Sequence, residues 1–159
     1  MSFYFCDMSK VPNIEIINRK AKYEYQFLQE YEVGIVLQGT EVKSIKNGNV
    51  NLRDAYCLFI KDELYIKSMF IAEYSHGNIH NHESRRDRKL LLRKPELRKL
   101  HKKVKEKGLS IIPYKVYFSD RGLIKVQIAL AQGKKVYDKR QSIKEREYKR
   151  DLDRIKKMR

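Results

Sequence analysis

Hydrophobic and polar residues alternate with a period of two in several stretches of this chain, and that pattern is typical of half-buried β-strands. The longest stretch, KYEYQFLQEYEVGIVL at residues 22–37, predicts one long strand. Gly34 interrupts it and predicts a bulge or a sharp bend at that point. Two hairpins follow from the same alternation, at residues 54–72 and 109–131. The pattern therefore predicts about five or six strands.

A period near 3.6 replaces the alternation elsewhere. Thr40 as an N-cap and Gly48 as a C-terminal stop bound a predicted short helix. Residues 84–92, whose polar start resembles a capping box before a run of leucines, predict a second helix. Apolar residues spaced i, i+3 and i+7 between Pro95 and Gly108 predict a third. We expect about three short helices beside the strands.

Strands in this number and order, with a helix before the last hairpin, suit a barrel of the OB type. We expect a mainly β fold: a small, closed, antiparallel OB-type β-barrel at residues 18–132, after a leader at residues 1–17. Residues 133–159 carry charge pairs at helical spacing but few apolar residues. We expect this basic C-terminal tail to be disordered alone and helical against an RNA-rich surface.

The net charge of +16 on 159 residues points to the kind of partner. Residues 85–107 hold twelve Lys and Arg against three acidic residues, a net charge of +9. Residues 133–159 hold twelve against five, a net charge of +7, so the rest of the chain is neutral. A neutral body with two basic segments favours a polyanionic partner. The 11 Tyr and 6 Phe offer rings that can stack on unpaired bases, so the favoured polyanion is RNA.

Several other classes of protein find no support in the sequence. Cys6 and Cys57 lie in unrelated contexts, which indicates reduced thiols rather than a disulfide framework. The N-terminus lacks a basic start followed by a sustained apolar stretch, so we expect no signal peptide. No apolar run is long enough to cross a bilayer. We expect a cytoplasmic protein without a membrane partner.

A His-rich loop, with His76, His80 and His82 beside Glu83, suggests metal chemistry. No Cys accompanies these residues and their spacing matches no known short metal motif, so polar loop histidines are the favoured interpretation. The chain has neither a Gly-rich phosphate loop nor a nucleophile elbow. We expect a non-enzymatic RNA-binding protein without a cofactor or metal. Two alternatives stay open: a general ribosomal or structured-RNA-binding OB-fold protein, and an enzyme that acts on RNA through this loop and a metal.

Four motifs in the chain resemble those of a known family. They are NRKAKYEY (18–25), GIVLQGTEVKSIKNG (34–48), GNIHNHESRRDRKLLL (77–92) and GKKVYDKRQSIKERE (133–147). In this order they resemble the SmpB family, the small-protein-B partners of transfer-messenger RNA in bacteria. The resemblance implies an OB-type barrel that binds the tRNA-like domain of transfer-messenger RNA (tmRNA, SsrA) and delivers it to stalled ribosomes for trans-translation and ribosome rescue. It also implies that the tail occupies the empty mRNA channel near the decoding centre.

The partners that the resemblance implies are tmRNA and the ribosome, at the decoding centre and mRNA channel of the small subunit. Through the RNA it also implies elongation factor Tu and alanyl-tRNA synthetase. The set implied to bind the tRNA-like domain is Asn18, Arg19, Lys20, Glu32, Glu41, Lys43, Ser44, Arg86, Arg88 and Lys89. The tail set implied to bind the ribosome is Gly133, Lys134, Lys135, Tyr137, Asp138, Lys139, Arg140, Lys144, Arg146 and Tyr148. Glu41 and Ser44 could equally be capping and packing residues.

Some positions depart from the family's pattern. Tyr137 stands where some members have His, Tyr148 where some have Trp, and Ser84 where Pro is usual. A ring that can stack on a ribosomal base is kept at Tyr137, while any imidazole chemistry is lost there. The carboxylate of Asp138 is expected to cap the helical turn that follows it.

Overall fold

The computed structural model describes residues 14–157 of the chain, and most of its elements are strands. The strands are β1 (Glu15–Ile17), β2 (Tyr25–Ile35), β3 (Val50–Asn51), β4 (Tyr56–Ile60), β5 (Glu63–Lys67), β6 (Phe70–Ile71), β7 (Arg88–Leu91), β8 (Ser110–Phe118) and β9 (Ile124–Gly133). The helices are α1 (Arg19–Glu24), α2 (Gly39–Lys46), α3 (Lys94–Lys107) and α4 (Val136–Lys157), with a 3-10 turn at Asn78–His80. The mainly β fold that the alternation predicts is confirmed.

Most strands join one antiparallel sheet in the order β1-β8-β4-β5-β7-β2-β9. β9 also pairs with β8. The strand pairing therefore runs from β8 through β4, β5, β7, β2 and β9 and returns to β8. β3 and β6 form a separate pair. The start of β2 meets the end of β9, where Tyr25 lies opposite Gly133. The tail therefore leaves the sheet beside α1.

One hydrophobic core is shared by the large sheet and by helices α2 and α3. Ile45 of α2 and Leu100 of α3 are at most 1% exposed and pack among the sheet's Leu, Ile and Val side chains. Each such side chain contributes about 1.5–3 kcal/mol when it is fully buried. A smaller cluster around Ala21 and Tyr114 anchors α1. Among the helices of residues 14–157, none is long and apolar enough to span a membrane.

The first long strand begins later than the alternation predicts. Asn18 caps α1, so residues 19–24 are helical and β2 starts at Tyr25 rather than at Lys22. Ala21 is the buried residue of this short helix, so α1 has no apolar stripe at helical spacing. Because that stripe is missing, the alternation of aromatic and polar residues, which continues into β2, predicts a strand for residues 22–24 as well.

Gly34 has a different role from the predicted one. The register of β2 shifts between Phe27 and Gln29 and is unbroken at Gly34, so a bulge at Gly34 is wrong, while a sharp bend there stays a prediction. Gly34 instead pairs with Lys125 on one side and Leu91 on the other. A Cβ at this position would lie 3.3 Å from the Leu91 Cβ, which is closer than most side-chain contacts. Glycine here permits the close approach of β2 and β7.

The helix predicted at residues 84–92 is wrong, because Arg88–Leu91 forms strand β7. Arg88 and Leu90 are buried, whereas Lys89 between them is only partly buried and Leu91 after them is 51% exposed, which is the period of two of a strand. Arg88 lies opposite Ile66 of β5. A basic residue in a sequence indicates the surface, so a buried arginine concealed the alternation.

The two other predicted helices are present, and one of them has a different cap. Gln38 is the N-cap of α2, so the cap predicted at Thr40 is wrong. Gly48, with a φ of 76°, follows the end of α2 as predicted. α3 has Pro95 in its first turn and Gly108, with a φ of 59°, at its end, and both match the prediction.

Candidate nucleic-acid interface

The opening motif of the predicted RNA site forms the start of α1. Asn18 is 7% exposed: its Oδ1 accepts a hydrogen bond from the Ala21 amide at 3.2 Å, and its Nδ2 donates to the Leu52 carbonyl at 2.8 Å. Both polar atoms of the side chain are thus used within the protein. Arg19 and Lys20 follow on the exposed first turn, where Lys20 pairs with Glu24 at 3.2 Å. Asn18 therefore positions two cations for a partner.

Glu41, Arg86 and Arg88 form a buried ion cluster. Glu41 Oε1 accepts hydrogen bonds from Arg88 Nε at 2.7 Å and Arg86 Nε at 2.8 Å. Glu41 Oε2 accepts from Arg86 Nη2 at 2.6 Å and from the Gln38 amide at 2.7 Å. The side chains of Glu41 and Arg88 are 0% exposed, while that of Arg86 is 24% exposed. The cluster ties α2 to the segment that leads into β7.

The remaining donors of Arg88 are also paired. Its Nη1 donates to the Met69 carbonyl at 2.7 Å, and its Nη2 donates to the Ser84 carbonyl at 3.2 Å. Burial on its own would raise the pKa of Glu41, but the hydrogen bonds from Arg86, Gln38 and Arg88 outweigh it and hold the pKa below its usual value. Glu41 is therefore an ionised, fully paired carboxylate that shapes the loop before β7.

The α2 helix presents one predicted residue outward and one inward. Ser44 is 1% exposed, and its Oγ donates to the Ala72 carbonyl at 2.6 Å. Lys43 is exposed, and its Nζ lies 5.2 Å from the centre of the Tyr74 ring. Ser44 thus holds α2 on the segment after β6, as the packing alternative for this residue suggests. Lys43 is available to a partner.

Glu32 lies on the outer face of β2 beside residues that the sequence did not single out. Its Oε2 accepts a hydrogen bond from the Tyr117 hydroxyl, and its Oε1 is 3.7 Å from Lys125 Nζ. Partial burial and the bond to Glu32 raise the pKa of Tyr117 to about 12. Lys125 lies in β9, which pairs with β2, and Tyr117 lies in β8, which pairs with the other side of β9. Because these strands are far from β2 in the sequence, pattern analysis could not place the three side chains together.

An apolar groove that the sequence did not indicate adjoins Lys125. It is lined by Ile35, Val42, Leu91 and Leu123. The exposed fraction is 51% for Leu91 and 58% for Leu123. In the sequence, the run of leucines at residues 90–92 indicates burial. In the structure its middle residue, Leu91, is exposed and lines this groove. The groove, Lys125 and Glu32 together form one surface with apolar, cationic and anionic parts.

The last predicted residue of the barrel set, Lys89, lies in β7. Its ammonium group donates to Glu63, and the side chain is 39% exposed. The predicted set therefore divides in two. Arg19, Lys20, Glu32, Lys43 and, in part, Arg86 and Lys89 reach the surface, whereas Asn18, Glu41, Ser44 and Arg88 lie inside. The inner residues position the outer ones.

The tail begins where β9 ends. Gly133 pairs with Tyr25, the Lys134 amide donates to the Glu24 carbonyl at 2.9 Å, and Lys134 Nζ donates to the Lys22 carbonyl at 3.2 Å. Further along α4, the Arg146 guanidinium lies 5.8 Å from the centre of the Tyr23 ring. These contacts hold the start of the tail against α1.

Most of the predicted tail residues lie on α4. Lys135, just before this helix, is exposed, as are Arg140, Lys144 and Tyr148 along it, and Tyr148 is 69% exposed. The side chains of Tyr137, Asp138 and Lys139 lie outside the described part of the chain, as do residues 1–13 of the predicted leader. The helical backbone of α4 is described from Val136 to Lys157. That the tail folds only in contact with RNA stays a prediction.

The His-rich loop divides in a similar way. His76 and His80 are exposed, whereas His82, in the same loop, is buried at 3% exposure. His82 Nε2 lies 3.1 Å from the Ile71 carbonyl and its Nδ1 lies 2.9 Å from Thr40 Oγ1. The carbonyl can only accept, so Nε2 carries a hydrogen and, in a neutral ring, Nδ1 accepts from the threonine. Within residues 14–157 no group of three or more His, Cys, Asp or Glu could hold a metal ion.

Comparison with known proteins gives a consistent result over nearly the whole chain. The family described as SmpB protein matches residues 15–158. An SsrA-binding protein of Christiangramia forsetii is 53% identical over 154 residues, which cover 97% of this chain and 98% of the relative. An SsrA-binding protein of Flavobacterium johnsoniae is 51% identical over 145 residues, which cover 91% and 96% of the two chains.

A solved structure gives the same result for the fold. A chain from the structure described as "tmRNA-SmpB: a journey to the center of the bacterial ribosome" is 47% identical to this one. The two superpose with a TM-score of 0.64, and the match covers 79% of this chain and 86% of that one. The arrangement of strands and helices is therefore shared with a protein that has been seen with tmRNA.

Proposed function

Because this chain belongs to the SmpB protein family, we propose that it recognises the tRNA-like domain of transfer-messenger RNA and carries it to stalled ribosomes. It binds tmRNA and acts in trans-translation on the ribosome. The observation that carries this conclusion is the identity of about half with SsrA-binding proteins over more than nine-tenths of their length. The concentration of positive charge in two segments of an otherwise neutral chain agrees with it.

The surface residues of the predicted barrel set supply the contacts with RNA. Arg19, Lys20 and Lys43 are exposed cations that can neutralise phosphates. The surface of Glu32, Lys125 and the apolar groove offers a hydrogen-bond acceptor, a cation and apolar contact area to unstacked bases. Asn18, Glu41, Ser44 and Arg88 act through these residues, since their own polar atoms are occupied within the protein.

The tail makes the contact with the ribosome. Its cations pair with ribosomal RNA along the empty mRNA channel near the decoding centre, and Tyr137 and Tyr148 offer rings for stacking. Support comes from the exposure of Arg140, Lys144 and Tyr148, and from the thin apolar stripe of α4. A helix of this kind gains most of its stability from a partner surface. The contacts of Lys134 with α1 fix the point from which it starts.

We also propose that residues 18–132 form a closed barrel of the OB type, which the return of the strand pairing from β9 to β8 supports. Elongation factor Tu and alanyl-tRNA synthetase are partners through the RNA rather than through the protein. A protein that works on the ribosome with tmRNA is placed in the cytoplasm. It positions RNA and catalyses no reaction itself.

The proposal predicts which RNA accompanies the protein in its own cells. After purification at moderate salt, sequencing of the bound RNA should give strong enrichment of one structured RNA with a tRNA-like end. Phosphate contacts alone weaken steeply with salt, whereas base and shape contacts persist. A broad mixture of ribosomal and transfer RNA would show that the charge acts without specificity and would favour a general RNA-binding protein.

The His-rich loop gives a separate prediction about catalysis. Changing His76 and His80 together to Gln should leave the tagging of stalled chains near normal, because both side chains are exposed and lie outside the proposed contacts. His82 is left unchanged, since it is buried and bonded to Thr40 and Ile71. Tagging assays on the double variant, with metal analysis of both proteins, test the point. Loss of tagging together with loss of bound metal would support an enzyme instead.

A further inference from the structure

The α3 helix carries much of the first basic segment, and the proposed function gives it no role. One side of α3 packs against the core through Leu97, Leu100 and Val104. With 100° between successive residues, Lys94, Arg98, Lys102 and Lys105 fall within an arc of about 80° on another side. All four are exposed. They form a stripe of cations, about 16 Å long, on the surface of the protein.

The charges of this stripe are largely unpaired. Lys102 pairs with Glu106 at 3.8 Å, but within residues 14–157 no acidic group lies in ion-pair distance of Lys94, Arg98 or Lys105. Successive members from Lys94 to Lys102 are about 6 Å apart along the helix axis. Cations on a surface repel one another unless anions lie between them, so a stripe of this kind suits a chain of phosphates.

The stripe is continuous with the proposed RNA site. A groove of about 640 Å³ lies between β7 and α3, and its lining includes Lys89 on one wall and Lys94 and Arg98 on the other. Leu91, which also lines the apolar groove near Lys125, belongs to the same wall as Lys89. A strand of RNA bound at β7 can therefore extend onto α3 without leaving the surface.

The cations that line this groove, Lys61, Lys89, Lys94 and Arg98, outnumber its two acidic residues, Asp62 and Glu63. Glu63 accepts from Lys89, and Asp62 lies 3.5 Å from His101 Nδ1. His101 stands between Arg98 and Lys105 and stacks on Phe59, with 4.5 Å between the ring centres. The groove thus has cations in excess over anions, with an aromatic pair at its edge.

We propose that the cationic stripe of α3 binds phosphates of the same tmRNA that the barrel recognises, and so extends the RNA site across the groove from Lys89. This inference rests on the proposed function. It assigns α3 contacts with the RNA backbone, which strengthen binding without reading sequence. Ribosomal RNA is the other source of phosphates for this stripe. Separate measurements of tmRNA binding and ribosome association distinguish the two.

The test is the salt dependence of binding, measured with purified tmRNA and the full chain. Each phosphate contact contributes about 0.7–0.9 to the slope of log affinity against log salt concentration. The variant K94Q/R98Q should therefore lower the magnitude of the slope by about 1.4–1.8. The matched control is K99Q/K107Q, which removes two exposed cations of the same helix outside the stripe and should leave the slope nearly unchanged.

The outcomes separate this inference from the function on which it rests. If the wild-type chain does not prefer tmRNA over a control RNA, the proposed function fails. If it does, and K94Q/R98Q keeps the wild-type slope or both variants lower it equally, the assignment of α3 is overturned. A variant that binds tmRNA normally but associates more weakly with ribosomes would assign the stripe to ribosomal RNA and overturn the inference as well. Circular dichroism of both variants checks that α3 is retained.

Discussion

A chain that ends after Lys135 should bind tmRNA with nearly the affinity of the full protein, and it should fail to support tagging of stalled chains. This truncation keeps β9 whole, together with the bonds of Lys134 to α1, so the sheet and the exposed side chains of the proposed RNA site stay in place. It removes α4 and most of the cations of the second basic segment. Gel-shift titration with tmRNA and a reconstituted tagging assay measure the two activities.

A full-length variant whose residues 136–159 are permuted is the matched control. It keeps the net charge and the length of the tail but loses the order of its residues. If the tail acts through placed contacts, the permuted chain should be as inactive in tagging as the truncated one. Recovery of tagging would show that charge alone is enough. Equal loss of RNA binding and tagging in the truncated chain would contradict the proposed separation of RNA binding by residues 18–132 from tagging by the tail.

The substitution Glu41→Ala should be the most destabilising single change in the proposed RNA site. It leaves Arg88, which is 0% exposed, with a buried charge that has lost its carboxylate partner. Breaking a buried ion pair by removing one partner costs about 3–5 kcal/mol. Urea unfolding followed by circular dichroism measures the loss, and tmRNA binding should fall with the folded fraction.

Glu63→Ala serves as the control for Glu41→Ala. It also removes a carboxylate that pairs with a cation of β7, but both side chains of the Glu63–Lys89 pair are about two-fifths exposed. Exposed ion pairs contribute little to stability because water solvates the charges that remain. We expect almost no change in the unfolding midpoint. Similar losses for the two variants would show that burial of the Glu41 cluster is not what makes it stabilising.

Elements whose signals are local could be predicted from the sequence. α3 is an example, since Pro95 marks its start, Gly108 marks its end and the leucines between them mark its buried side. The two hairpins are similar cases, because alternation and turn residues lie next to each other in the chain. A pattern of this kind depends only on a residue's near neighbours.

The interior of the proposed RNA site could not be predicted in the same way. Glu41 meets Arg86 and Arg88 across 45 and 47 residues of sequence, and only the packing of α2 beside β7 brings them together. In a linear pattern a charged residue indicates the surface, so Arg88 concealed its strand. The resemblance to a family placed all three residues in the predicted set. It could not tell which members of that set reach the surface and which are buried beneath them.

The contacts between the end of β9 and α1 fix the point at which the tail starts, and the lengths of β9 and α4 can be counted from that point. Lys125 lies near one end of β9 and Gly133 at the other, and a strand of that length keeps them about 26 Å apart. From Gly133, α4 adds a rod of 22 residues, or about 33 Å. In the proposed function these lengths limit how far the end of the tail can lie from the RNA bound at the sheet, and adding or deleting a turn of α4 would change that reach by about 5 Å.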